Sequence, residues 1–413
     1  VTLLASTDSP RPRQAVASLG NYIAALLMDV VFGCVGLGLS LRATHHFKLD
    51  YTALAMLFAV GGLSASAGCL FLSRLSDRLG RKPVILVALA GVATMSFLFA
   101  AATEVWHLYA LIAVNSCLMG VFWSSLEARI TDGADGRELT RRLGTFGIFF
   151  CLGLMLGDPA GGFLADWQPV APFYAASAVT LLLLSTLAVL FRVDRMHDGH
   201  RAGPLASEDV SQDEVLPGVA VRRAFRLAAW ISNAIAYAVV AVLLRLFPRF
   251  ATLSSGEGGL GFTGGEVGLI GGAAPLAMVC GFVVLGRLHV WHYKFRWIAA
   301  AQCVSVCGLL MYVLSRDFGF FVLGSFLFGL GKGVTYIASI YYSLHAQTAR
   351  GGQSGLHEGI LCFGYAAGMI VTGLAASVLT SHRVPYWVCV IVLVAGIAVE
   401  SGIIWRAKRR ASE

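Results

Sequence analysis

The sequence predicts an all-α membrane protein whose twelve transmembrane helices form two pseudo-symmetric six-helix bundles. Three observations predict it. The first is composition. Of 413 residues, 57% are hydrophobic and 13% are charged, and mean hydropathy is +0.75. A soluble domain carries roughly 25% charge, so most of this chain has lipid as its solvent. The second is a series of twelve apolar runs near the ~20 residues that a spanning helix needs. They fall at about 18–41, 53–73, 83–103, 106–128, 143–165, 171–191, 226–248, 266–286, 296–315, 319–343, 356–380 and 385–405. The third is an internal repeat. Gly153, Gly157 and Gly162 recur as Gly364, Gly368 and Gly373, and Asn21 recurs as Asn233. Gly120 and Trp123 recur as Gly333 and Tyr336, and Ser73-Arg74-Leu75 recurs as Gly286-Arg287-Leu288. Offsets of 211 to 213 in four helix pairs imply a duplicated six-helix unit.

These runs divide the chain into a polar tail (1–17), a first bundle (18–191), a linker (192–225), a second bundle (226–405) and a short tail (406–413). The linker holds Asp194, Asp198, Glu208, Asp209, Asp213 and Glu214, with Pro204 and Pro217 as breakers. Of the 31 Lys and Arg residues, 24 lie on the side of the termini and five in the opposite loops. By the positive-inside rule both termini and the linker are expected in the cytoplasm, with the chain in a plasma or inner membrane. The polar, Pro-containing start from Val1 to Gln14 does not read as a secretory signal.

All nine cysteines sit inside apolar runs without a C-x-x-C pattern, as packing residues do. No metal or other cofactor is expected. The net charge of +8 is spread over short loops, which argues against a nucleic-acid face. No G-x-x-x-x-G-K-[ST] appears, so ATP is not expected to act directly. The expected partners are a small-molecule substrate, a proton and the bilayer, with the chain working as a monomer.

Between the second and third runs lies the charged decade Ser73 to Pro83, with Arg74, Asp77, Arg78, Gly80, Arg81 and Lys82. Gly80 permits a turn, and Pro83 suits the start of a helix. On its own this is a solvated basic loop. Its spacing resembles the loop signature G-x-x-x-D-R-x-G-R-K/R of the major facilitator superfamily, with Ser73 in place of the first Gly. The resemblance covers essentially the whole chain. It implies two six-helix halves rocking about a central site, and a gating role for Asp77 against the start of helix 11. A helix N-terminus carries about half a positive charge, so the pairing is physically sound. Asp77→Ala is then expected to abolish transport while leaving membrane insertion intact, measured as uptake per unit of inserted protein. Helix 5 carries Gly153, Gly157, Asp158, Pro159, Gly161 and Gly162. This resembles the exporter motif G-x-x-x-G-P-x-x-G-G, with Asp158 in the Pro position and Pro159 after it. The helix 4 motif R-x-x-Q-G is absent, Ser116 and Met119 standing there.

A charge at mid-membrane costs ~2.5–3.5 kcal/mol on insertion scales and usually faces a partner or a cavity. The resemblance implies that helices 1, 4, 7 and 10 line the cavity. Each carries one charge: Asp29, Glu127, Arg245 and Lys332. Asp29 and Lys332 fall near mid-helix, as a coupling pair or as a structural ion pair. Glu127 is near the cytoplasmic end, where Arg129 or Arg142 could pair with it. Arg245 is near the outer end, where an interfacial anchor is the favoured reading. Asp158 could titrate or bond backbone groups freed by Pro159. Asn233, Tyr237, Trp123 and Tyr336 share stripes with these charges. The reading is a proton-coupled secondary transporter of a small organic solute, with a lean to efflux. Asp29 is its coupling carboxylate, and Lys332 its counter-charge or an anchor for an anionic substrate group. An uptake symporter for a sugar, nucleoside or organic anion stands as the alternative. A membrane enzyme would need clustered acids or His/Glu metal spacing, and the dipeptide His357-Glu358 is the best local candidate. A transport-dead sensor is the remaining reading.

Overall fold

The computed structural model describes residues 12–72, 76, 78–132, 134, 136–195, 217–285, 291–344, 351–379 and 381–412. They form α1 (Pro12–His45), α2 (Tyr51–Leu72), α3 (Arg81–Ala101), α4 (Val105–Thr131), α5 (Gly136–Trp167) and α6 (Ala171–Arg195). The second set is α7 (Val219–Thr252), α8 (Gly264–Leu285), α9 (Phe295–Leu314), α10 (Phe318–Leu344), α11 (Gly351–Val378) and α12 (Val384–Ser412). Each contains a stretch long and apolar enough to cross a membrane. No strand forms among the described residues.

Several helices outrun the apolar runs that announce them. The backbone ladder continues wherever no breaker intervenes, because its hydrogen bonds are internal whatever the solvent. Thus α1 begins at Pro12, α5 at Gly136 and α11 at Gly351, before the runs expected to start near 18, 143 and 356. α12 runs to Ser412, so the expected C-terminal tail continues the helix. Most of the expected linker (196–216) lies outside the described residues, as does Asp77. Two π-helical turns interrupt the ladder, Gly68–Leu72 in α2 and Val242–Leu246 in α7. Such turns are often found at functional sites.

Packing repeats from one half to the other. α1 packs on α5 and α6, and α7 on α11 and α12. α3 packs on α4 and α6, and α9 on α10 and α12. Two seams join the halves, α5 against α8 and α2 against α11, and each maps onto the other under the repeat. The repeated glycines explain this. Gly153 and Gly157 bring α5 onto the α1 backbone at Leu26, Asp29 and Val30. Gly364 and Gly368 bring α11 onto Ala234 and Ala238 of α7. At the seams, Gly162 abuts Gly264 and Gly373 abuts Ala55. Small residues let backbones approach where lipid leaves no hydrophobic drive.

Arginines close the third helix of each half. The Arg42 guanidinium donates to the carbonyls of Phe99 (2.7 Å), Ala100 (3.0 Å) and Ala102 (2.7 Å) at the end of α3. Arg383 donates to the carbonyls of Val313 and Ser315 at the end of α9. Cations suit a helix C-terminus, whose carbonyls lack partners. Arg42→Ala leaves buried acceptors unmet, each costing about 1–3 kcal/mol. The midpoint of thermal unfolding in detergent is expected to fall.

Candidate functional site

Between the halves lies a cavity with about 1660 Å³ of non-protein space, partly open to solvent. Asp29, Trp123, Glu127, Tyr237, Arg245, Lys332 and Tyr336 all line it. Helix periodicity puts them there. Trp123 and Glu127 stand one turn apart on α4, and Lys332 and Tyr336 one turn apart on α10. The two repeat-related aromatics meet a common ring. Phe150 of α5 lies 5.6 Å from Trp123 and stacks on Tyr336 at 6.4 Å.

Asp29 and Lys332 are both buried, with relative exposures of 2% and 4%. They interact electrostatically, but no contact ion pair joins them among the described residues. Lys332 Nζ instead sits 4.6 Å from the centroid of the Tyr237 ring, a cation–π contact. One oxygen of Asp29 has no hydrogen-bond partner.

Arg245 is not at the interface. It is 1% exposed, and Nη1 lies 3.8 Å from Asp158 Oδ1. Its guanidinium covers the rings of Phe32 (4.9 Å) and Phe58 (5.7 Å) and lies near Tyr365. It also fills the space left by the missing side chain of Gly36. An interfacial anchor needs water or headgroups for its charge, and here a carboxylate and aromatic faces take that role. Asp158 therefore faces a cation in the other half rather than backbone groups freed by Pro159. It sits behind the cavity wall, against Gly268 and Gly271 of α8. The α5 ladder continues through Pro159 to Trp167.

Asn233 does not line the cavity. It is fully buried with both polar atoms unpartnered. Long helical side chains lean back toward the N-terminus, so Tyr237 covers the turn that holds Asn233.

In the gating loop, Gly80 adopts φ 88°, a conformation that favours glycine. Arg81 Nη1 reaches Asp132 Oδ2 at 3.1 Å and the Ala128 carbonyl at 2.7 Å, tying α3 to the end of α4. Arg78 is exposed and Lys82 half-buried. Nearby, hydrogen bonds from Arg142 and Arg141 hold the Glu138 carboxyl below its ordinary range.

The face opposite the termini is closed by contacts that cross between halves. His45 Nε2 lies 2.7 Å from Thr252 Oγ1. The Tyr51 hydroxyl is 3.0 Å from His382 Nδ1, and within the second half His382 Nε2 is 3.0 Å from the Glu257 carbonyl. Arg249 covers the Tyr51 ring at 5.3 Å. Asp166, in the last turn of α5, accepts from the first two amides of α8, Gly264 (2.8 Å) and Gly265 (2.7 Å). A carboxylate here meets both unpaired N–H groups and the positive end of the helix dipole. Asp166→Ala is expected to loosen this face. Disulfide formation between cysteines placed at His45 and Thr252 should drop several-fold. Unchanged yield would make the cap incidental.

Sequence reasoning left three residues out of the transport site, Glu358 having been considered only in the enzyme reading. Glu358 of α11 lines the cavity, its Oε1 4.0 Å from His357 Nε2. Tyr365 lines it two turns further on. Asp166 had a usable signal, being an acid one turn beyond Gly162.

Twelve spanning helices, two equivalent halves and a charged cavity on their pseudo-axis define a polytopic membrane carrier fold. A family model of the Major Facilitator Superfamily matches residues 22–356. The chain belongs to that superfamily. It is 33% identical to a class C tetracycline resistance protein from Escherichia coli over 189 residues, 44% of this chain and 47% of that protein. It is 21% identical to the quinolone resistance protein NorA of Staphylococcus aureus over 387 residues, 92% of this chain and 96% of NorA. The chain spans about half the length of the tetracycline resistance protein it matches. Among solved structures, an inward-facing, unoccupied bacterial homologue of the human lysosomal transporter Spinster superposes with TM-score 0.68 at 12% identity. That match covers 97% of this chain and 98% of the other. The nucleoside transporter NupG gives 0.62 at 14% identity, over 95% of this chain and 98% of that one. At such identities these likenesses speak for the fold alone.

Proposed function

We propose that this chain is a proton-coupled secondary transporter that exports a small amphipathic organic solute by rocking its two halves about the central cavity. The observation that carries this is the charge pattern of the cavity. Asp29 and Lys332, from opposite halves, share one buried site without a contact ion pair. A carboxyl group so placed can exchange a proton or respond to a ligand without first breaking a salt bridge. Cross-half contacts at the face opposite the termini suit one end state of alternating access. The lean to export rests on the relatives named for tetracycline, multidrug and quinolone resistance, together with the helix 5 motif. Both termini are assigned to the cytoplasm on the Lys and Arg asymmetry, with 1–17, 18–191, 192–225, 226–405 and 406–413 as the working divisions and a monomer as the working unit. The test is accumulation of a fluorescent amphipathic dye in everted membrane vesicles. Accumulation that collapses with the pH gradient supports the reading. Accumulation only in right-side-out vesicles would turn it into uptake.

A further inference from the structure

A further buried carboxyl lies outside the cavity, within the second half. Glu400 of α12 is fully buried where that helix packs on α7 and α9. Gln302 of α9 is buried beside it, and its Nε2 donates to Glu400 Oε2 at 2.8 Å and to Ser232 Oγ of α7. One amide thus gathers three helices. Two atoms of the cluster stay idle: Glu400 Oε1 and Gln302 Oε1 have no hydrogen-bond partner. Both are oxygens, so neither can serve the other while Glu400 is ionised. Among the described residues only burial and the Gln302 amide act on this carboxyl, and no charged group of α7, α9 or α11 reaches it. The cations nearest in sequence on its three helices, Arg226, Arg296 and Arg406, each stand six residues toward the face of the termini, about 9 Å along the axis. Other titratable side chains turn elsewhere: Cys303 outward, Tyr237 to Lys332, and Glu358 and Tyr365 of α11 to the cavity.

We infer that Glu400 is a proton-binding site separate from the cavity, a neutral carboxylic acid that pairs with the Gln302 amide and fastens α12 to α9 and α7. An isolated buried carboxylate is among the costliest groups in an apolar interior and takes up a proton instead. That proton turns one idle acceptor into a donor and offers the idle oxygen of Gln302 a partner. Turning the Gln302 amide over leads to the same place. Its oxygen would then lie against Glu400 Oε2, and only a proton could hold two oxygens there. α7 carries Tyr237 and Arg245 to the cavity, so loss of the proton loosens a helix that bears two of the lining residues. The cluster shares no residue with the cavity, and its test is independent of the transporter reading.

The test is reversible unfolding of the full chain in mixed detergent micelles across pH, unsubstituted and as Glu400→Gln. The variant offers the same hydrogen bonds through an amide that does not titrate. The unfolded carboxyl gives up its proton in the ordinary carboxylate range, whereas the folded one keeps it. Above that range, each pH unit is expected to lower the folded-to-unfolded ratio of the unsubstituted chain about tenfold relative to the variant, until Glu400 itself ionises. A difference between the two chains that stays flat with pH shows an ionised Glu400 and overturns the inference. Infrared spectra of the chain labelled with isotopic glutamate give a second reading. The carbonyl band of a neutral glutamic acid is expected at neutral pH, lost in Glu400→Gln and moved to higher frequency in Gln302→Leu, where the carbonyl loses its donor. A neutral-acid band that neither variant alters, or no such band, overturns the inference too. Stabilisation by sodium chloride over choline chloride that Glu400→Gln removes would place a metal cation there in the proton's stead.

Discussion

Replacing Asp29 by Asn is expected to abolish pH-gradient-driven transport while leaving the protein folded and able to bind ligand. The substitution keeps size and hydrogen-bonding capacity and removes only the exchangeable charge. Asp29 lies at the centre of α1, against Gly153 of α5, and is almost fully buried. Its electrostatic neighbours are Lys332 and Asp158. A group that alternates between proton and ligand must have one protonation state destabilised by its surroundings and the other relieved by a partner. In the proposed mechanism Lys332, from the opposite half, is that partner, so movement of the halves would change the balance. Loss should be complete for driven accumulation and small for passive exchange of the same solute. The check is paired efflux and counterflow in proteoliposomes. Full gradient-driven accumulation by Asp29→Asn would remove Asp29 from the mechanism.

The second large effect concerns Asp158 and Arg245. Both side chains are almost fully inaccessible, and they join α5 of one half to α7 of the other. Removing one member of such a pair strands a buried charge, at a cost of about 3–5 kcal/mol. Asp158→Ala is therefore expected to lower the unfolding midpoint sharply. The double variant Asp158→Leu with Arg245→Met should recover most of the loss, because replacing both charges with apolar groups is often neutral. The pair also bridges the halves near the closed face. The double variant, though stable, should then crosslink less readily between His45 and Thr252 positions. If the single and double variants melt alike, the pair carries no net interaction.

Much of the fold was legible because lipid simplifies the code. Twelve runs of apolar residues and a glycine repeat were enough to set element number and the duplicated halves. Helix ends were not, since polar residues such as those of 136–142 continue a helix past the point where hydropathy falls. Of the site, Asp29 and Lys332 stood out because a charge in mid-membrane is costly wherever it sits. Arg245 was placed too near the interface because sequence position gives depth but not rotation. Its partner Asp158 belongs to another helix, and its berth exists only because Gly36 has no side chain. Asn233 erred the other way: a polar residue on the right stripe, hidden beneath Tyr237. Glu358 was weighed only with His357 in the enzyme reading and not as a cavity residue. Only the approach of α11 to α4 makes it part of the cavity.

The central claim is a two-state carrier whose balance between faces is set by the proton on Asp29. It can be tested without a substrate by distances between paired spin labels in a cysteine-free background in nanodiscs. One pair, at Lys48 and Ser255, reports the closed face; another, at Arg78 and Lys294, reports the face of the termini. All four positions are exposed. The account predicts a short and a long distance for each pair, with populations that shift oppositely at the two faces as pH changes. Asp29→Asn should freeze both distributions. A single, pH-independent distance at each face in the unsubstituted chain would contradict it.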